Sequence, residues 1–198
     1  MPNAPFHDYT LSEHRHRFAA WAAARAVARN FAATEVVVAA IDAASLQAFV
    51  ADTLPRVASQ PDSDAHHARL CERLLAYFEL PSTRAKAPSY GYVAKTLAIY
   101  LKTRVGMRGV EAFPAAAYLH PPVDRELLKA LRDYERKALG KKSSDCLFEP
   151  AHRLTPWTQF TAKEYGEVMR RIGVLLGEGA ELWRVEALWG PTFADSPT

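Results

Sequence analysis

Lys95 and Asp124 stand where a lysine and a carboxylate could together carry out covalent chemistry. Lys95 follows the turn Pro88-Ser89-Tyr90-Gly91 at the start of an apolar helix, and Asp124 follows Pro121-Pro122-Val123, 29 residues later. A neutral amine can act as a nucleophile and form a Schiff base. A nearby carboxylate can stabilise a developing positive charge and shuttle a proton. The order of these features predicts an active site built from Lys95 and Asp124.

Each of the two residues also has an ordinary structural explanation. A lysine on an amphipathic helix is usually solvated, and an aspartate before a helix is usually an N-cap. Lys102 competes with Lys95 as a nucleophile, because it lies seven residues further along the same helix face and 22 residues before Asp124. The hypothesis depends on the two residues occurring together with the glycine turn and the Pro-Pro loop.

The segment from Pro88 to Leu131 resembles the helix-hairpin-helix DNA glycosylases, the HhH-GPD superfamily. Those enzymes carry a proline/glycine hairpin, a lysine followed by Thr or a small residue, an apolar helix, a loop and a Pro/Val-Asp at a helix start. Lys95-Thr96 and Val123-Asp124 match this order. The wide separation of the two residues is similar to that in the archaeal 8-oxoguanine DNA glycosylases. The resemblance covers less than a quarter of the chain.

The resemblance implies a DNA glycosylase that removes a modified or damaged base, in DNA repair or defence. It implies that Lys95 is the nucleophile of a lyase activity and that Asp124 is required for base removal. The chain departs from the pattern at the hairpin, where one glycine, Gly91, stands in place of two closely spaced glycines. No four-cysteine cluster follows, so an iron–sulfur version is excluded. The target base, the strand preference and the presence of lyase activity stay open.

DNA is the expected partner, and no cofactor is expected. The predicted contacts with DNA are residues of the hairpin region and of a later lysine-containing loop: Tyr90, Gly91, Lys86, Lys141 and Lys142. A free backbone N–H at the Gly91 turn would favour phosphate. A flipped base needs an aromatic platform, for which the candidates are Trp21, Trp157 and Trp183.

Two other functions fit the same sequence. One is a non-catalytic helical module that binds nucleic acid through a basic face. The other is an interaction protein in which Lys95 and Asp124 have no catalytic role, and it would need an exposed apolar patch.

Composition excludes several classes of protein. The chain has 198 residues, a formal charge of +3 and a pI near 8.9, which permits contact with nucleic acid without requiring it. No apolar run is long enough to cross a bilayer, and no signal peptide is visible, so a cytoplasmic protein without membrane contact is expected. Two cysteines are too few for a disulfide scaffold. His67 and Cys71 could share a metal, but no further ligands are evident, so no metal site is predicted.

The elements that must position the site are helices, because alanine is abundant and no convincing strand pattern occurs. We expect an all-α fold of about eight helices in one domain, residues 1–198, with lobes at 1–80 and 91–190 as an option. On the first helix, Phe18, Trp21, Ala22 and Ala26 form the predicted apolar stripe. The expected helices are Thr10 or Ser12 to Asn30, Glu35 to Ala43, a Ser45-capped helix to Leu54, Asp62 or Ser63 to Leu80, Gly91 to Val105, Asp124 to Leu139, a Thr161-capped helix to Leu176, and Ala180 to Trp189.

Overall fold

The structure, a computed structural model, describes residues 10–106, 114–149 and 155–188. The fold is all-α, as predicted, and no strand occurs within these ranges. The α-helices are α1 (Leu11–Val27), α2 (Thr34–Ala43), α3 (Leu46–Ala48), α4 (Gln60–Phe78), α5 (Tyr90–Gly106), α6 (Arg125–Asp133) and α7 (Ala162–Leu176). Short 3-10 turns at Pro114–Tyr118, Trp157–Gln159 and Leu182–Leu188 lie between or after them.

The helix starts follow from side chains that accept the unpaired backbone N–H groups of the first turn. Thr10 caps α1 by accepting the N–H of Glu13. Thr161 and Glu164 form the predicted capping box of α7, each side chain bonding to the other's backbone. The cap of α4 is Ser59 instead of Asp62 or Ser63, and Pro61 occupies the first turn.

Helix α5, which carries Lys95, is the central element of the fold. It contacts α1 over much of its length and also packs against α4. Every residue from Tyr90 to Ala98 is buried, although this stretch includes Lys95 and Thr96. One connected cluster of buried apolar side chains runs from Ala19 to Val185 around this helix.

The predicted apolar stripe of α1 is wrong. Phe18 and Trp21 are 46% and 52% exposed, whereas the fully buried side chains are Ala19, Ala20, Ala23 and Ala24. Ala22 and Ala26 also lie outside the core. Small side chains allow two helices to approach each other, so the alanine face packs inward and the bulky rings stay at the surface.

Three predicted helices are shorter or looser than expected. The Ser45 segment is α3 followed by a π-turn at Phe49–Thr53 and a 3-10 turn at Leu54–Arg56. Helix α6 ends at Asp133 and continues as a π-turn over Tyr134–Ala138, and the C-terminal segment is a 3-10 turn. Among the described residues, no single helix is long and apolar enough to cross a membrane; one bent pair, Thr34–Ala43 with Leu46–Arg56, meets that test by length and composition together.

Candidate active site

Lys95 and Asp124 are in direct contact. The Lys95 Nζ donates a hydrogen bond to Asp124 Oδ2 over 2.9 Å, and both residues are 8% exposed. The pairing joins the first part of α5 to the start of α6 across 29 residues of chain. The predicted association of these two residues is therefore present, in a setting where burial strengthens the attraction between opposite charges.

Asp124 is held in place by its second oxygen. Oδ1 accepts the N–H of Leu127 over 3.0 Å, so Asp124 is the N-cap of α6. The N-cap explanation and the active-site hypothesis are thus compatible, because the two carboxylate oxygens have separate partners. Capping fixes the carboxylate and leaves Oδ2 directed at the amine.

The loop that carries Asp124 is attached to the neighbouring helices. Ser63 of α4 donates its hydroxyl to the carbonyl oxygen of Tyr118 over 2.8 Å. His120 contacts Asp64 of α4 over 2.8 Å and the Tyr165 hydroxyl of α7 over 3.2 Å. The segment from His120 to Asp124 is buried throughout. These contacts fix the position from which Asp124 reaches Lys95.

Trp157 forms one side of the Lys95 environment. The Lys95 Nζ lies 4.8 Å from the centroid of the Trp157 ring, within the range of a cation–π interaction. Tyr92 packs edge-on against Trp157 at 5.1 Å between centroids and stacks on Phe31 at 4.2 Å. Of the three tryptophans predicted as base platforms, Trp157 is the one in contact with Lys95.

The other two tryptophans have different neighbours. Trp21 is on the exposed side of α1, beside Phe18 at 5.9 Å between ring centroids. Trp183 is in the C-terminal 3-10 turn, with the Arg184 guanidinium 5.3 Å from its ring. Their proposed role in base stacking stays a prediction that depends on a substrate reaching them.

A cleft of about 390 Å³ opens on the side of Trp157. Its polar walls include Arg125 and Arg132 of α6 and the hydroxyl of Thr155, and its apolar walls include Phe148. Arg125 and Arg132 are seven residues apart, so they lie on the same side of α6. The cleft therefore combines an aromatic surface with two cationic side chains. Neither Lys95 nor Asp124 lines it, and Trp157 is the wall residue that contacts Lys95.

Lys102 has a different environment from Lys95. It is half exposed and forms an ion pair with Glu186 of the C-terminal 3-10 turn. Lys95, and not Lys102, is thus the lysine in contact with Asp124. The choice of Lys95 over Lys102 as the nucleophile stays a prediction.

The expectation of a free backbone N–H at Gly91 is wrong. Gly91 is buried, and its N–H is donated to the carbonyl oxygen of Phe160 over 3.3 Å. A Cβ at this position would overlap the carbonyl oxygen of Trp157. The glycine is required for close packing of α5 on the Trp157 turn. Tyr90 is buried as well, so neither residue presents a surface to phosphate in this conformation.

The predicted lysine contacts with DNA differ in exposure. Lys86 and Lys142 are exposed. Lys141 instead pairs over 2.8 Å with Glu135, whose side chain is fully buried. Glu135 also accepts the N–H groups of Leu147 and Phe148, over 3.0 and 2.9 Å. Lys141 therefore stabilises the loop after α6, and contacts with DNA remain a prediction for all three lysines.

Sequence reasoning missed a second polar cluster, made of His67, His120, Tyr165 and Asp64. His67 stacks on His120 at 4.2 Å and on Tyr165 at 5.2 Å between ring centroids. The His67–Cys71 pair that was considered for a metal forms a hydrogen bond here, with 3.6 Å between Nδ1 and Sγ. No group of three or more potential metal ligands occurs in the described ranges. The four residues come from three distant segments, so no local sequence motif predicts that they are in contact.

Comparison with known proteins does not add to this picture. No family model matches the chain, and no similar protein was found among the curated proteins or the solved structures. The geometry of the Lys95–Asp124 pair and its cleft is therefore the basis for a functional proposal.

Proposed function

We propose that this protein removes a modified or damaged base from DNA, using Lys95 as the nucleophile and Asp124 as its proton-transfer partner. The observation that supports the proposal is the buried contact of 2.9 Å between the Lys95 amine and the Asp124 carboxylate. A buried ion pair is weak evidence for stability alone, because desolvation offsets much of the attraction. A reactive role gives a reason for placing this pair at two helix starts beside a cleft.

The chemistry requires a neutral amine. Asp124 Oδ2 is placed to accept a proton from the Lys95 ammonium, after which the nitrogen lone pair can attack the C1′ carbon of the sugar. The bond from C1′ to the base breaks, and the base departs with the electron pair and takes up the proton that Asp124 accepted. Opening of the sugar ring then breaks the C1′–O4′ bond, O4′ takes up a proton from the attached Lys95 nitrogen, and the Schiff base forms between C1′ and Lys95. Water hydrolyses that link and restores the amine.

The surroundings of the pair fit a nucleotide. Trp157 offers aromatic surface to a base that has left its stack. Arg125 and Arg132 offer charge to backbone phosphates. Lys95 and Asp124 retain only 10% and 12% side-chain exposure, so a substrate must displace part of the Trp157 packing to reach the amine.

A second function, an interaction protein without catalysis, has one observation in its favour. Leu11, Phe18 and Trp21 on α1 are 61%, 46% and 52% exposed, and their spacing places them on one side of the helix. Such a patch would fit a protein partner. Phe18→Ala should leave DNA processing unchanged if base removal is the function.

Borohydride trapping tests the catalytic proposal. The protein is incubated with duplex and single-stranded oligonucleotides carrying 8-oxoguanine, uracil or an abasic site, and reduction converts a Schiff base into a stable protein–DNA adduct. We expect an adduct with the wild type and none with Lys95→Gln, whose amide still donates to Asp124. Asp124→Asn retains an N-cap side chain and should slow base removal by about 10²–10⁴-fold, the usual contribution of a positioned acid or base.

Lys102→Gln is the matched control, since it removes the same charge from the same helix and should trap normally. Base release without an adduct would make the protein a glycosylase that uses water, with Lys95 as a binding residue. Absence of processing with every lesion, or trapping that survives Lys95→Gln, would refute the assignment of Lys95.

A further inference from the structure

A second cavity lies away from the Lys95 cleft. Its volume is about 510 Å³, and its walls come from α4, the N-terminus of α5, the His120 loop and α7. The polar residues on its walls include Asp64, His67, Tyr90, His120 and Tyr165. Neither Lys95 nor Asp124 lines it, and it shares no described lining residue with the cleft beside Trp157.

The polar wall of the cavity is a directional chain of hydrogen bonds. The Cys71 thiol can donate to His67 Nδ1, and His67 Nε2 lies 3.4 Å from the Tyr165 hydroxyl. That hydroxyl can donate to His120 Nδ1, which leaves the Nε2–H of His120 to donate to Asp64 Oδ1 over 2.8 Å. This arrangement uses both imidazoles in their neutral form. Every donor in this series of hydrogen bonds has an acceptor, and the series ends at the Asp64 carboxylate.

Asp64 is the exposed end of this chain. Burial acts to raise its pKa, but hydrogen bonds from His120 and Gln60 hold the pKa of Asp64 below its ordinary value, so the carboxylate is ionised at neutral pH. Both bonds reach Oδ1, and within the described residues Oδ2 accepts none. The side chain is 54% exposed. A negatively charged oxygen is therefore available at the mouth of the cavity.

The other charged residue on the rim, Arg170, is directed at Glu167, which it shares with Arg171. Arg170 lines the cavity, but its guanidinium donates two hydrogen bonds to Glu167, over 2.7 and 2.8 Å. Those bonds, with further ones from Arg171, hold the pKa of Glu167 well below its ordinary value. Asp64 is the carboxylate among the described residues that line the cavity.

The floor of the cavity is apolar and kept open by small residues. Gly166 and Gly173 lie seven residues apart on α7 and both line it, together with Met169 and Leu182. A glycine inside a helix costs about 0.5–1 kcal/mol relative to alanine. A Cβ at Gly166 would meet nothing within 4 Å, so packing does not require this glycine. Gly166 is exposed at the rim, where a longer side chain would reach over the cavity.

We propose that this cavity binds a small organic cation, namely a protonated amine on an aromatic or apolar body. The ammonium donates to Asp64 Oδ2 at the mouth. The body lies against the aromatic side chains and the apolar floor, which removes its surface from water. A charge-assisted hydrogen bond of this kind is stronger than one between neutral groups, so the charge of the ligand determines its selection.

The test uses a matched pair of probes, 2-phenylethylamine and the neutral 2-phenylethanol. Binding is measured by calorimetry and by amide chemical-shift changes at about pH 8, where reference imidazoles are neutral. We expect the amine to bind about tenfold more tightly than the alcohol or better, the effect of one hydrogen bond to a charged group. Shifts should centre on residues of α4 and α7 that line the cavity. Failure of the amine to bind, or equal affinity for both probes, would overturn the proposal.

Two variants separate binding from folding. Asp64→Asn should abolish the preference for the amine, whereas Asp62→Asn removes an identical charge from the same helix outside the cavity and should preserve it. Gly166→Met should fill the cavity and block both probes while raising the melting temperature, because it replaces a helical glycine. Amine binding that survives either Asp64→Asn or Gly166→Met would contradict the assigned site. Gly166→Met leaves Lys95, Asp124 and the contact between Asp64 and His120 in place, so a base-removal assay on this variant tests the proposed function independently.

Discussion

His67 is a buried imidazole whose two nitrogens face Cys71 and Tyr165. Burial, with a smaller effect from His120, places the pKa of His67 well below the ordinary value of 6.5. The folded protein therefore keeps this residue neutral at a pH where the unfolded chain takes up a proton. Protonation of the unfolded state then favours unfolding.

From this shift we expect the free energy of unfolding to fall as the pH drops below about 6.5, and to be unaffected by His67 above that value. His67→Gln should flatten this part of the pH profile, measured by urea denaturation between about pH 5 and 8. His14→Gln, at an exposed position on α1, is the control and should leave the slope unchanged. A slope that persists in His67→Gln would assign the effect to another group.

Glu135 is a second buried residue, and its carboxylate is the acceptor for several hydrogen-bond donors. Its fully buried carboxylate accepts hydrogen bonds from two backbone N–H groups and from Lys141. Glu135→Ala leaves these donors without an acceptor and should lower the free energy of unfolding by about 3–5 kcal/mol, the usual effect of breaking a buried charged pair. Glu126→Ala, at an exposed position on α6, should cost less than about 1 kcal/mol by chemical denaturation. Equal losses in the two variants would show that the Glu135 network contributes little.

At the scale of elements, the approach of α5 to the Trp157 turn depends on Gly91. Gly91→Ala should lower the free energy of unfolding by about 1–3 kcal/mol, the usual cost of overpacking, because the added methyl group meets a backbone carbonyl. Gly166→Ala has open space around the new methyl group and should be stabilising by about 0.5–1 kcal/mol. Thermal and urea denaturation of the two variants should thus change in opposite directions. A stabilising Gly91→Ala would mean that the Trp157 turn moves easily.

Local signals were enough to predict some elements and insufficient for others. The capping box at Thr161 and the aspartate before α6 act through neighbouring backbone atoms, so they can be predicted from a few residues. The predicted start of α4 is wrong because Ser59, Asp62 and Ser63 are all suitable caps, and it is Pro61 in the first turn that favours Ser59. The buried face of α1 could not be predicted from hydrophobicity, since its partner α5 selects small residues instead of large ones.

The candidate site also contains some contacts that local patterns predict and others that they do not. The Lys95–Asp124 pairing was predicted because both residues belong to short patterns at helix starts. The contact of Trp157 with Lys95, and the bond from Gly91 to Phe160, depend on a segment more than 60 residues away. The His67–Tyr165 contact spans 98 residues. Contacts at that separation are determined by helix packing, which a single sequence does not reveal.

For the whole molecule, a formal charge of +3 gives only a weak general attraction to DNA. Binding by the proposed enzyme must therefore depend on where the cations are placed. If the backbone follows α6, Arg125→Gln and Arg132→Gln should each weaken binding and reduce the slope of log affinity against log salt concentration by about 1. Fluorescence anisotropy over a salt series measures both quantities.

The same series compares two other surfaces. Lys86→Gln and Lys142→Gln remove exposed charges from the regions that the sequence predicted to contact DNA. A loss of slope in these variants, with none at Arg125 and Arg132, would place DNA on the hairpin and loop surface instead of the α6 cleft. Absence of binding by the wild type at low salt would remove both nucleic-acid functions.

The rate at which the two buried cysteines are alkylated measures local opening of the native protein. Cys71 and Cys146 are both 0% exposed, and burial raises the pKa of each thiol above its ordinary value. Since the thiolate is the reactive form, alkylation must wait until the chain opens around each sulfur. Pulsed labelling followed by mass spectrometry would time two openings separately, one at α4 and one at the loop after α6. The relative labelling rates of Cys71 and Cys146 would thus show the order in which these two regions open.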